Sequence, residues 1–101
     1  MDRSVVVRYQ TKPEAAAENT RLIENVYTAL AQVAPAGFRY ATYRLADGTS
    51  FVHVASHRGD DNPLATLPEF AQFQKDLGAR IVEPPVPSDA TIVGSYGLAA
   101  L

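Results

Sequence analysis

Two histidines, His53 and His57, stand four positions apart in a β-rich run. Tyr40, Tyr43 and Phe51 lie close by, and Tyr96 lies near the C-terminus. On a strand both imidazoles share a face, but four residues span about 13 Å. Bonds from imidazole to a metal are about 2.1 Å long, so the two do not ligate one ion. His53 is the candidate for acid–base chemistry, because an unperturbed imidazole titrates near ~6.5. Phe51, Tyr40 and Thr42 surround it. Tyr40, Tyr43 and Tyr96, with Phe51, offer stacking surface and phenolic donors to an aromatic ligand. The same residues also fit a plainer role. His53 would then be hydrogen-bonded within a packed sheet, and the tyrosines would be packing residues with a wet tip.

Other patterns exclude more than they propose. Cysteine is absent, which removes disulfides, thiolate nucleophiles and thiolate metal sites together. Gly94-Ser95-Tyr96-Gly97 lacks the Gly-x-Ser-x-Gly spacing of a nucleophile elbow, and no phosphate-binding glycine loop occurs. No cofactor and no metal are expected. Asp60 and Asp61 beside His57 are too few to define a cation site, and Arg58-Gly59-Asp60 reads as a chance loop tripeptide. Arg39, Arg44 and Arg80 are the available anion clamps. A net charge of −2 with scattered basic residues argues against nucleic acid and anionic membranes as partners.

The elements that must position these residues follow from spacing. Residues 4–10 are β-branched and aromatic, a strand. Thr-x-Pro-Glu occurs twice, at Thr11–Glu14 and Thr66–Glu69, each time ahead of an apolar helical pattern. Both copies read as capping boxes with proline in the first turn. Residues 12–34 carry Leu22, Val26, Leu30 and Val33 on one stripe, an amphipathic helix ended by Pro35 and Gly37. Residues 38–45 and 50–57 form a hairpin, with Asp47-Gly48 as a type I′ turn that sets Tyr43 opposite Val52 and Thr42 opposite His53. A second helix starts near Leu67, with Phe70, Ala71, Phe73 or Gln74, and Leu77 on its buried side. Pro84-Pro85 and Pro87 read as an extended connection, and residues 90–98 as the last strand.

The order β-α-β-β-α-β within residues 1–101 makes one α+β domain. Right-handed crossovers put both helices on one face of a four-stranded antiparallel sheet in the order 4-1-3-2, the ferredoxin-like arrangement. One face of the hairpin carries Phe38, Tyr40, Phe51, His53 and His57; the other carries Ala41, Tyr43, Val52 and Val54. Both have substantial apolar area beside polar residues such as Thr42 and Arg44 on the first and Arg39, Ser50 and Ser56 on the second, and two helices cover only one. A homodimer in which two sheets meet is the expected answer. The RNA-recognition fold shares this order, but Gly48-Thr49-Ser50-Phe51-Val52 lacks its flanking aromatics and basic residue, so RNA binding is not supported.

The element order, the Phe- and Leu-bearing second helix, the proline-rich connection and the closing Val93-Gly94-Ser95-Tyr96 resemble the dimeric α+β barrel proteins. Among these the chain is most similar to the antibiotic-biosynthesis-monooxygenase-like proteins. The resemblance implies a twofold barrel with a small cavity between helices and sheet in each subunit. In that group some members oxidise polyphenols or quinols without a cofactor, some degrade haem, and many have no assigned activity. The haem-degrading members use an Asn, a His and a Trp together. This chain has no Trp, which disfavours that branch. Two readings stay open: a small monooxygenase with His53 as acid/base and Tyr40, Tyr43, Phe51 and Tyr96 lining the site, or a non-catalytic homodimer that binds a small ligand or serves as a structural unit. No signal-peptide core precedes residue 8 and no run approaches the ~20 apolar residues of a membrane span, so the expected location is cytoplasmic.

Overall fold

The computed structural model describes residues 2–59 and 61–97. Asp60 and Leu98, which figure in the tripeptide and in the expected last strand, lie outside the described residues. Four strands, β1 (Asp2–Thr11), β2 (Arg39–Arg44), β3 (Ser50–Arg58) and β4 (Ile81–Ala90), form one antiparallel sheet in the order β2-β3-β1-β4. Helix α1 (Ala16–Val33), α2 (Pro68–Lys75) and the single turn α3 (Leu77–Arg80) complete the ferredoxin-like βαββαβ fold.

Alternation decides the core. Val7 and Tyr9 of β1 pair with His53 and Phe51 of β3 and point with them to the helices. Tyr9, Phe51 and Phe73 pack there with Leu22, Ile23 and Val26 of α1. The expected hairpin register is present: Thr42 faces His53 and Tyr43 faces Val52. The turn differs from the expected one. Only Gly48 has positive φ; Leu45 O accepts from Gly48 N, and the Asp47 carboxylate accepts from Thr49 N and Ser50 N. The Ser50 hydroxyl, which donates to the same carboxylate, together with those backbone contacts holds the carboxyl of Asp47 down at about 2. With Asp47 outside the left-handed region, the turn is not type I′.

Neither capping box forms. Thr11 is the last residue of β1, and its Oγ1 donates to Thr49 O. Lys12 therefore precedes a 3₁₀ turn, Pro13–Ala15, that leads into α1. Thr66 ends a second 3₁₀ turn, Pro63–Thr66, whose cap is Asn62: its Oδ1 accepts from Leu64 N at 3.1 Å. The prolines do occupy first turns, Pro13 in the 3₁₀ turn and Pro68 in α2. The second helical region breaks at Asp76, where φ −115° and ψ 24° leave the helical basin, and it resumes for one turn.

The largest correction concerns the last strand. The proline-rich segment, expected as a connection, is β4 itself, and residues 91–97 are exposed and outside any strand. Two features make the prolines tolerable. β4 is an edge strand, so a missing N–H costs no ladder bond on its outer side. The register also slips between Arg8↔Val86 and Gln10↔Glu83, so Pro84 and Pro85 bulge out opposite Tyr9. β4 reaches Ala90 opposite Ser4, and pairing to β1 stops there.

Candidate functional site

The site grows from a polar residue on an apolar stripe. Asn19 stands at i, i+3, i+4 and i+7 with Leu22, Ile23 and Val26, which turns its amide into the core, where it is fully buried. A buried amide has to be bonded. Its Oδ1 accepts from Arg80 Nε at 3.1 Å, and its Nδ2 donates to Tyr9 Oη at 2.9 Å. Arg80 is itself buried. Among the described residues it forms no ion pair; its Nη2 donates to Phe73 O at 2.6 Å, and its guanidinium lies over the Phe73 ring.

From Tyr9 the chain of contacts crosses to β3. Tyr9 Oη lies 2.8 Å from His53 Nε2, and His53 Nδ1 lies 2.7 Å from Tyr40 Oη and 3.2 Å from Thr42 Oγ1. Thr42 Oγ1 in turn meets Tyr27 Oη. The permanent charge at one end sets the direction. Arg80 can only donate, so Asn19 presents its carbonyl to Arg80 and its NH2 to Tyr9. Tyr9 accepts there and spends its own proton on His53 Nε2. The neutral imidazole then carries its hydrogen on Nδ1 and donates to Tyr40. The Tyr40 proton is left for Thr42 or for a group in the cavity. The reverse polarity would strand the Tyr9 proton in the core, which costs about 1–3 kcal/mol.

Burial lowers the pKa of His53 from 6.5 to about 4, so the ring is neutral at ordinary pH. Burial also raises the Tyr9 hydroxyl to about 12 and lifts those of Tyr40 and Tyr27. The phenols are hydrogen-bond donors here, not phenolates.

These groups form part of the wall of a half-open cavity of about 190 Å3, between the sheet and α2. Tyr9, Tyr40, His53 and His57 line it along with Val5, Val7, Leu64, Phe70, Phe73 and Leu77 and the amides of Asn62 and Gln74; among the described residues no acidic residue, Lys or Arg does. The space exceeds the ~150 Å3 cavity that admits a benzene ring. Among the described residues no group of three His, Cys, Asp or Glu could hold a metal ion, and no helix is long and apolar enough to cross a membrane.

The structure brings together only part of the set read from the sequence. His53 and Tyr40 meet at the cavity. Phe51 is buried beneath it, stacked on Tyr9 with centroids 5.6 Å apart, and edges a shallower hollow with Arg44. Tyr43 is exposed on the opposite face of the sheet, and Tyr96 is fully exposed beyond β4; neither lines the cavity of this chain. Tyr9, Asn19 and Arg80 were not recognisable as one unit, because Arg80 meets Asn19 across 61 positions. One signal was available: a polar Asn19 in the apolar stripe of α1 demands a buried partner.

No family model matches this chain, and no curated protein matches it in sequence. Solved structures do. Rv0793 of Mycobacterium tuberculosis superposes with a TM-score of 0.74 at 19% identity, over 96% of this chain and 100% of that one. A variant of SnoaB, described as a cofactor-independent oxygenase from Streptomyces nogalater, gives 0.68 at 20% identity, over 95% and 97%. A structure described as an antibiotic biosynthesis monooxygenase gives 0.70 at 16% identity, over 93% and 100%. The chain has the antibiotic biosynthesis monooxygenase fold. At these identities the likeness concerns the fold alone, and the chemistry has to be argued from the cavity.

Proposed function

We propose that this protein is a cofactor-independent monooxygenase acting on an aromatic or polyketide-like small molecule in the cavity beside His53. The observation that carries the reading is a neutral, buried imidazole held between two tyrosine hydroxyls at the wall of an apolar pocket. An oxygenase of this kind needs only to bind an electron-rich substrate away from water and to manage its protons. A methylene flanked by phenolic or keto groups, deprotonated to its enolate, itself supplies the electrons for dioxygen. Conversion of CH2 to C=O uses one O2 and releases one water, and no outside reductant enters. His53 would take up the proton at Nε2 by way of Tyr9 Oη, and Tyr40 would donate to the developing oxyanion. With its pKa near 4, His53 is a weak base, so it suits substrates made acidic by neighbouring carbonyls, as polyketide carbons are.

A second reading is supported by the other face of the sheet. There Val6, Ala41, Val52 and Val54 are half-buried, and Tyr43 and Val86 are exposed, with no helix among the described residues over them. A homodimer joined through this face would cover them, and a non-catalytic ligand-binding dimer would use the same cavity. One experiment separates the two activities. Aerobic oxygen uptake is measured with quinols and anthrone-type substrates, alongside a thermal-shift screen of the same compounds with flavins and haem as controls. The oxygenase reading expects uptake that His53→Ala abolishes. Binding with no uptake would leave the non-catalytic dimer.

A further inference from the structure

Arg80 is a buried cation that the reaction proposed above leaves unused. It is 7% exposed, and among the described residues it forms no ion pair. Burying a guanidinium without a counter-charge is costly. Part of its role is local: α2 breaks at Asp76, and Arg80 Nη2 donates to Phe73 O in the last turn of that helix. Holding the end of α2 does not call for the second contact, Nε to Asn19 Oδ1 on α1. That contact leads to Tyr9 and His53.

We propose that Arg80 and Asn19 are positioning residues: through Tyr9 they fix the hydrogen of His53 on Nδ1, and so leave the Tyr40 hydroxyl to donate to a ligand carbonyl. With its Oδ1 held by Arg80, Asn19 turns its NH2 to Tyr9, and the phenol gives its proton to His53 Nε2. The bond made by one ring nitrogen decides the state of the other. His53 then gives from Nδ1 to Tyr40 and keeps no free lone pair on the ring. A ketone or enolate oxygen accepts the Tyr40 proton. A hydroxyl accepts it too, but its own proton is left against a mostly apolar wall. His57, Asn62 and Gln74 share that wall, and among the described residues none bonds to this chain of groups; Asn62 Oδ1 is taken by Leu64 N, so its NH2 is the free end. The selection for a carbonyl rests on the cavity being the ligand site proposed above, and it names the substrate group bound there.

Asn19→Asp reverses the chain at nearly constant volume. Its carboxylate pairs with Arg80 and only accepts, so Tyr9 turns its proton away from His53, the ring hydrogen moves to Nε2, and Tyr40 spends its own proton on Nδ1. Nitrogen NMR of histidine-labelled protein reads both ring nitrogens and needs no ligand. Wild type should show the hydrogen of His53 on Nδ1, and Asn19→Asp should show it on Nε2, an exchange that loosened packing does not produce. Arg80→Met frees the Asn19 amide to turn over and should give both tautomers. Calorimetry with α-tetralone and α-tetralol, which share one skeleton, should find the ketone about tenfold tighter in wild type and no tighter in Asn19→Asp. If the variants fail to fold, the wild-type spectrum decides: hydrogen on Nε2 overturns the positioning role. So does an unchanged tautomer in folded Asn19→Asp or Arg80→Met, or a ketone preference that Asn19→Asp retains. Wild type that binds neither compound would overturn the ligand cavity and the selection, while the imidazole signals judge Arg80 and Asn19 separately.

Discussion

Tyr9 and His53 sit on neighbouring central strands with their rings 5.3 Å apart and their polar tips 2.8 Å apart. The pair therefore both stacks and hydrogen-bonds. Val7, not Tyr9, is the Cα partner of His53, so the tyrosine reaches diagonally across the sheet to make the contact. That diagonal links the buried charge of Arg80 to the cavity.

The first consequence is a dependence of stability on pH. His53 titrates at 6.5 in the reference state and at about 4 when folded. Between those values the unfolded chain binds more protons, so stability is fully present above pH 6.5 and is lost as pH falls toward 4. The loss attributable to His53 is at most about 3 kcal/mol. Urea midpoints across that window should decline in the wild type and flatten in His53→Gln. The loss from Asp47 falls lower, between 3.8 and about 2. A wild-type midpoint that does not change from pH 6.5 to 4 would refute the assignment.

Asn19→Leu removes the acceptor of a buried guanidinium and the donor to Tyr9 at once. It should cost about 2–3 kcal/mol, which for a domain of this size lowers the Tm by roughly 10–20 °C. Calorimetry that places the variant within a few degrees of wild type would mean that the buried network is not a stabilising unit.

Two backbone substitutions should act in opposite directions. Ala34 closes α1 in the left-handed region at φ 47° and is exposed, so Ala34→Gly relieves a Cβ clash and should stabilise by about 1 kcal/mol. Gly48 holds φ 79° in the hairpin turn, and Gly48→Ala should destabilise by a similar amount. Denaturation midpoints of the two variants, compared with wild type, decide both signs.

Tyr40→Phe deletes one of the two phenols that meet His53 at the cavity, the one whose proton is not spent on the imidazole. Turnover or ligand affinity should fall about tenfold or more, while the amide spectrum stays that of the folded protein. Tyr96→Phe, on a residue fully exposed beyond β4, should leave both unchanged. Equal losses at the two positions would show that the cavity is not where the ligand reacts.

If two copies meet through the open face, Val54→Glu places a charge in the joint. Light scattering should show twice the chain mass for the wild type and a single chain for the variant. A wild type that runs as one chain at all concentrations would dispose of the dimer.

Local chemistry in the sequence settled the element order, the hairpin register and the sharing of one strand face by His53 and Tyr40, because alternation and turn residues act over a few positions. It misplaced what depends on distant partners. Proline in residues 84–87 argues against a strand until β1 is seen to offer an edge and a bulge. Thr11 and Thr66 look like caps until their hydroxyls are drawn to Thr49 and Pro63. Tyr43 and Tyr96 are tyrosines like Tyr40, and only the sheet's two faces separate them. The chain Arg80–Asn19–Tyr9–His53 came from packing alone, since burial makes a polar atom seek whichever partner the fold brings within 3 Å or so, and no spacing in one dimension encodes that.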